Sequence, residues 1–262
     1  MILLYDKKKI SSASDRLIEP TLHEYYPRSR LTARTLANAA SSAQTWREIL
    51  AFHGDLASDD YVRYVHNYYR ECHQQYGASW YYFDIVNVLY AAAKLIRPKH
   101  YLEVGIRRGR TVCAVARAYP DVCIHGFDLW VENYAGMDNP GEKFVRDELA
   151  AHRHRGLAEF VSGDSKETVP RYLREHPNLL FDLITVDGDH TESGARIDLE
   201  NTLPRLAPGG VLVFDDVSHP DLPHMLSLWR KVTARYPALE TFEFTDAGYG
   251  VAFAVNRGEN RF

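Results

Sequence analysis

From Pro98 onward, short apolar runs alternate with longer stretches in which apolar residues recur every three or four positions, so the chain reads as successive βαβ units. Runs at 101–104, 123–127, 159–162, 181–186 and 211–214 predict five parallel strands. Helices are expected near 109–119, 140–152, 166–176, 192–206 and 221–236. The alternation then stops. Leu239 to Phe244 and Tyr249 to Val255 are strand-like runs joined only by Thr245-Asp246-Ala247-Gly248, too short for a crossover helix, so they should pair antiparallel at one end of the sheet. The expected fold class is α/β: a Rossmann-like, mostly parallel seven-stranded sheet with a C-terminal antiparallel hairpin, plus an N-terminal helical cap.

Before Pro98 the pattern differs. Residues 1–57 are polar, with serine pairs at 11–12 and 41–42 and prolines at 20 and 27, and predict irregular or weakly helical chain. Ser58-Asp59-Asp60 is an N-cap cluster for a helix through Tyr61, Val65, Tyr68, Tyr69 and Cys72, and a second helix is expected over 79–96. Tyr61, Tyr64, Tyr68, Tyr69, Tyr76, Trp80, Tyr81 and Tyr82 crowd this section. They either pack the cap onto the domain or cover a ligand, and helical aromatic stripes are usually core. The expected division is 1–95, extension and cap, and 96–262, the chemical domain.

Composition narrows the function. Of 262 residues, 45% are hydrophobic and 25% charged, enough for one large core with an appended segment. Lysine and arginine total 31 against 35 acids, a formal charge of -4 that offers no general attraction to a phosphate backbone, so no nucleic-acid partner is expected. The three cysteines, Cys72, Cys113 and Cys123, show no metal or disulfide spacing and suit a reducing, cytoplasmic setting. Met1 to Tyr5 followed by Lys7-Lys8-Lys9 reverses the order of an export signal. No apolar run approaches the ~18 residues a membrane span needs, so no membrane partner is expected. A small-molecule acceptor is the expected partner, and a homo-oligomer is left open.

The chemistry gathers at strand ends. In Glu103-Val104-Gly105-Ile106-Arg107-Arg108-Gly109-Arg110-Thr111, two glycines four apart lie where the first strand turns into the first helix, letting a ligand approach the backbone. A dinucleotide fingerprint aligned on Gly105 needs glycine at 107 and 110, both of which are arginine. Asp128 ends the second strand nineteen residues after Gly109, where a carboxylate accepts hydrogen bonds from ribose hydroxyls, and Asp164 follows the third strand, where it suits an adenine amine.

These residues resemble the class I S-adenosylmethionine-dependent methyltransferases, whose first motif is an acid, a glycine, three residues and a second glycine, as Glu103, Gly105 and Gly109 stand here. The resemblance covers about residues 95–256. It implies that S-adenosylmethionine is bound by Glu103, Gly105, Gly109, Thr111, Asp128, Asp164 and Asp187, with Glu103 near the methionine amino group and Asp128 and Asp164 at ribose and adenine. Helix or turn capping is the competing reading for each acid.

The fourth strand emerges at Asp187-Gly188-Asp189-His190 and the fifth at Asp215-Asp216, after Pro208-Gly209-Gly210. If those strands are neighbours, Asp187, Asp215 and Asp216 converge as oxygen ligands suited to Mg2+ or another divalent cation, which also relieves their mutual repulsion. The pairing is similar to that in natural-product O-methyltransferases of the macrocin type and relatives often labelled cephalosporin hydroxylases. It implies metal ligation by Asp187, Asp215 and Asp216, with His190 as general base for methylation of a hydroxyl. Metal-free or nitrogen-directed transfer, a nicotinamide oxidoreductase and a non-catalytic cofactor binder remain open alternatives.

Overall fold

A computed structural model describes residues 31–133 and 136–258. Seven strands form one sheet in the order β3-β2-β1-β4-β5-β7-β6. The strands are β1 (His100–Val104), β2 (Cys123–Asp128), β3 (Ala158–Ser162), β4 (Phe181–Val186), β5 (Leu206–Asp215), β6 (Leu239–Phe244) and β7 (Val251–Asn256). The first five are parallel, and β7 inserts antiparallel between β5 and β6. Chain order runs outward from β1 to β3 on one side and from β4 to β5 on the other. The connections therefore diverge between β1 and β4, which opens a crevice at their carboxyl ends.

The period of two along each strand separates two cores. Tyr101, Leu183, Val211, Val213 and Phe253 face a cluster with α4 (Ile85–Ile96) and α5 (Arg110–Ala118). Leu102, Val104, Ile184, Leu212 and Phe214 face α7 (Ser165–Glu175), α8 (Glu192–Thr202) and α9 (His224–Thr233). Each fully buried Leu, Ile or Val contributes about 1.5–3 kcal/mol, so both faces of the sheet are strongly held.

The N-terminal part is more ordered than its polarity suggests. Residues 31–57 contain α1 (Ala33–Ala40) and α2 (Ala43–Asp55), capped by the hydroxyls of Thr32 and Ser42. Leu36, Ala37 and Ala40, then Trp46, Ile49 and Phe52, line one buried face. Residues 1–30 of the stretch read as irregular lie outside the described residues. α3 (Asp60–Tyr76) starts at its Asp59 cap as expected. The helix expected over 79–96 begins only at Ile85, because Asp84 caps it by accepting from the amides of Val86 and Asn87. Trp80 and Tyr82, in the extended segment before that cap, stack at 5.1 Å between centroids, and Trp46 donates from its indole nitrogen to the Tyr82 carbonyl at 3.0 Å.

Other boundaries move little. The helix expected over 192–206 ends at Thr202 and passes through a 3-10 turn at Leu203–Arg205 into β5, which begins five residues before Val211. α6 (Glu142–Ala151) completes the set. Between β6 and β7, residues 245–250 return to the carboxyl edge beside Asp215, whose register partner is Val251. That tip is tied to the loop after β5: the Ser218 amide donates to the Tyr249 carbonyl at 2.6 Å, and the Tyr249 and His219 rings lie 4.1 Å apart. Among the described residues no helix is long and apolar enough to cross a membrane.

Candidate functional site

The crevice starts at a turn that only glycine accommodates. Gly105 has φ +89°, and a Cβ there would lie 2.0 Å from the carbonyl oxygen of Asp187. The turn thus sits directly on the end of β4. Gly109, at φ +73°, opens α5 with Val145 of α6 so close that a Cβ would meet its side chain at 2.7 Å. Asp128 fixes the loop between them. Its Oδ2 accepts from the amides of Ile106 and Arg107 at 2.6 and 2.8 Å, and its Oδ1 accepts from the Trp130 amide at 2.5 Å. Asp128 therefore shapes the cradle as well as edging it: Oδ2 is filled by its two amides, and Oδ1 keeps a second lone pair free.

Glu103 is enclosed beneath the cradle. Its side chain is fully buried and accepts hydrogen bonds from the hydroxyls of Tyr101 and Thr111. Desolvation pushes its pKa up to about 8, opposed by those two bonds, so the carboxyl keeps its proton at neutral pH. Thr111 is committed to the same contact and is itself buried. Asp164, exposed at the end of β3, caps α7 through the Lys166 amide at 2.9 Å. In the loop after β2, residues 134–135 lie outside the described residues. Trp130 donates its indole N–H to Ser162 Oγ at 3.0 Å, and Met137 Sδ accepts from Arg107 at 3.1 Å.

Across the crevice, β4 and β5 bring three groups together. One oxygen each of Asp187 and Asp216 and a ring nitrogen of His190 lie within 4.8 Å of one another. His190 spans the two carboxylates, with Nε2 3.2 Å from Asp187 Oδ1 and Nδ1 3.5 Å from Asp216 Oδ2. Burial depresses its pKa, but the bond to Asp187 and the charges of Asp187, Asp216 and Asp189 outweigh it, and the net shift is upward. Asp216 itself is raised to about 6, first by desolvation and then by the charge of Asp187.

Asp215 is not in this group. It ends β5, whereas Asp216 turns off the strand in the left-handed region at φ 60°. Asp215 feels the charges of Asp187, Asp216 and Asp84, and desolvation with that repulsion holds its carboxyl well above the usual range. The converging set is thus two aspartates and His190.

Several neighbours had no motif to announce them. His224, opening α9, has Nε2 2.8 Å from the His190 carbonyl oxygen and so props the β4 loop. Asp189 accepts from the Thr191 amide at 2.8 Å and from Lys166 Nζ at 3.1 Å. From the cap come Tyr61, Tyr82 and Asp84, with Arg110 of α5 among them. The helix expected over 79–96 ran past the cap at Asp84, and the partnership of Tyr61 with Arg110 spans 49 positions and leaves no local trace.

Comparisons place this geometry among known proteins. Residues 102–217 match the family described as "Methyltransferase domain". A 4'-O-methyltransferase of Streptomyces olivaceus, acting on 8-demethyl-8-(2,3-dimethoxy-alpha-L-rhamnosyl)-tetracenomycin-C, is 30% identical over 146 residues. That match covers 45% of this chain and 53% of the relative, about half its length. Among solved structures, CalS11, a TDP-rhamnose 3'-O-methyltransferase of calicheamicin biosynthesis, aligns with a TM-score of 0.51 at 23% identity, covering 81% of this chain and 93% of that one. The O-methyltransferase TomG of Streptomyces achromogenes, solved with S-adenosylmethionine, aligns at 0.54 with 19% identity, covering 82% and 98%. The sheet and hairpin are thus those of a Rossmann-like methyltransferase fold, as the strand pattern implied.

Proposed function

We propose that this chain, whose residues 102–217 form a methyltransferase domain, is an S-adenosylmethionine-dependent O-methyltransferase acting on a hydroxyl of a small natural product or sugar, assisted by a divalent cation and His190. The observation that carries the reading is the convergence of Asp187, His190 and Asp216 at the tips of β4 and β5, beside the glycine cradle. The relatives support the acceptor class, since the Streptomyces olivaceus enzyme and CalS11 both methylate sugar hydroxyls by their descriptions.

The donor set fits a hard cation. Two partly buried carboxylates and an imidazole converge, and desolvation with the charge of Asp187 raises Asp216 to about 6. Asp187 and Asp216 would hold the ion, with His190 adjacent. S-adenosylmethionine supplies the activated methyl, and the cation supplies Lewis-acid polarisation of the acceptor oxygen. The cradle from Gly105 to Gly109 and Asp128 orient the methyl donor. A ring nitrogen of His190, held between Asp187 and Asp216, accepts the acceptor's hydroxyl proton.

The test is methyl transfer to a panel of sugar and phenol hydroxyls, followed as S-adenosylhomocysteine release. Exhaustive chelation should abolish turnover and Mg2+ should restore it. Asp216→Asn should lose activation by the cation while binding S-adenosylhomocysteine as the wild type does, because the cradle lies on other strands. A second reading rests on His190 already spanning both carboxylates. In that case turnover survives chelation and still falls on His190→Ala.

A further inference from the structure

The cap meets the sheet edge at a cluster of arginines that the reaction proposed above does not use. Two of them flank one ring: the guanidinium carbons of Arg107 and Arg110 lie 5.0 and 5.3 Å from the Tyr61 centroid. Of the three arginines in the cradle sequence, Arg108 is paired with Asp59 at 3.0 Å and Asp138 at 2.8 Å. Arg107 donates to Met137 Sδ. Arg110 feels the charges of Asp84, Asp215 and Asp187, yet its hydrogen bonds are poorly filled. Its Nη2 reaches the Tyr61 hydroxyl only at 3.5 Å, and its Nη1 is buried without a hydrogen-bond partner, 3.8 Å from Asp84 Oδ2. Asp84 is itself engaged as the cap of α4.

A buried guanidinium with an open donor is costly unless an acceptor arrives, and its planar fork matches a carboxylate. Its place in the chain says which one. Arg110 is the first residue of α5, immediately after Gly109, so it borders the cradle itself. Arg108 is already paired and Arg107 is turned to Met137, while Asp128, Asp187, Asp215 and Asp216 at the strand ends are acids suited to hydroxyls and cations. The one anionic group of S-adenosylmethionine is its α-carboxylate. Resting on the cofactor reading above, we infer that Arg110, steadied by Tyr61 of α3, receives that carboxylate, so the helical cap completes the cofactor site. The arginine standing where a dinucleotide fingerprint needs glycine thereby gains a purpose of its own.

Calorimetry on the full chain tests this with two ligands. S-adenosylhomocysteine carries the amino-acid head, and 5'-methylthioadenosine lacks it while keeping the nucleoside and sulfur. Arg110→Met should weaken S-adenosylhomocysteine by about 10- to 150-fold, the loss of a charge-assisted hydrogen bond, and change methylthioadenosine by no more than about threefold. Arg110→Lys keeps the charge but not the fork and should fall between, which guards against a methionine variant that fails to fold. Tyr61→Phe should cost S-adenosylhomocysteine less than about 10-fold, and methylthioadenosine nothing. Equal losses for both ligands would mark Arg110 as structural and overturn the inference, as would undiminished S-adenosylhomocysteine affinity. Wild-type protein that binds neither ligand would overturn the cofactor reading itself.

Discussion

Replacing Gly105 by alanine measures how tightly the cradle is built onto β4. Two costs add. The residue holds φ +89°, in the region where an L side chain is strained by about 1–2 kcal/mol. The new Cβ would also lie 2.0 Å from the Asp187 carbonyl oxygen, 2.5 Å from its carbon and 2.9 Å from Gly188 Cα, all backbone atoms that no rotamer change can move. Overpacking of that kind adds about 1–3 kcal/mol, for a total near 2–5 kcal/mol. Gly209 is the internal control, because its φ is +79° and a Cβ there meets nothing within 4 Å. Gly209→Ala should therefore show the backbone strain alone, about 1–2 kcal/mol. Urea unfolding followed by circular dichroism separates the two. A chain of this size loses roughly 2–4 °C in Tm per kcal/mol, so Gly105→Ala should fall by about 4–20 °C. Equal losses at the two positions would refute the claim that the cradle presses on β4.

Further expectations follow from the same geometry. Glu103 has a folded pKa raised to about 8 from 4.5, so its contribution to stability is full below pH 4.5 and is lost as pH rises toward 8. Glu103→Gln, which cannot ionise, should remove a fall of a few kcal/mol between pH 5 and 8.5, and identical pH slopes for variant and wild type would exclude this. If a cofactor ammonium settles near Glu103, binding at pH 7 should release a proton, seen as a dependence of the binding heat on the ionisation enthalpy of the buffer. Asp216, raised to about 6, must be ionised to hold a cation, so stabilisation by Mg2+ should be present above pH 6 and fade below it in thermal-shift measurements. Trp46→Ala should cost about 3–5 kcal/mol, because the side chain is fully buried and its indole nitrogen holds the Tyr82 carbonyl. A loss under 1 kcal/mol would show that the cap does not depend on it.

The parts of this fold that were legible in the sequence are those where local pattern and tertiary role coincide. The strand ends at Val104, Asp128, Ser162 and Val186 could be read because an apolar run stops at a glycine or an acid, and the hairpin because two runs lie too close for a helix. The helices α1 and α2 were hidden by their composition. Alanines fill much of the buried face of α1, and Ser41-Ser42 resembles a loop although Ser42 is a cap. At the site, Asp187, His190 and Asp216 could be placed together from topology, but Asp215 could not be separated from Asp216. The left-handed turn that divides them is a backbone choice which adjacent identical residues do not reveal. The role of Arg110 depends on which donors the cap leaves unfilled, and that is a property of the assembled structure.

The tie between the hairpin tip and the loop after β5 makes those two segments move as one piece. Ser218 is held to Tyr249 through the backbone, and a side chain at Gly250 would collide with Ser218 Oγ at 2.6 Å, so the joint has no slack. Asp216 lies two residues before that joint and Tyr249 projects from it, 57% exposed. A push on Tyr249 is therefore carried first to the segment that holds Asp216. A hairpin tip of another shape would reset the rim of the crevice and the backbone two residues from that carboxylate together.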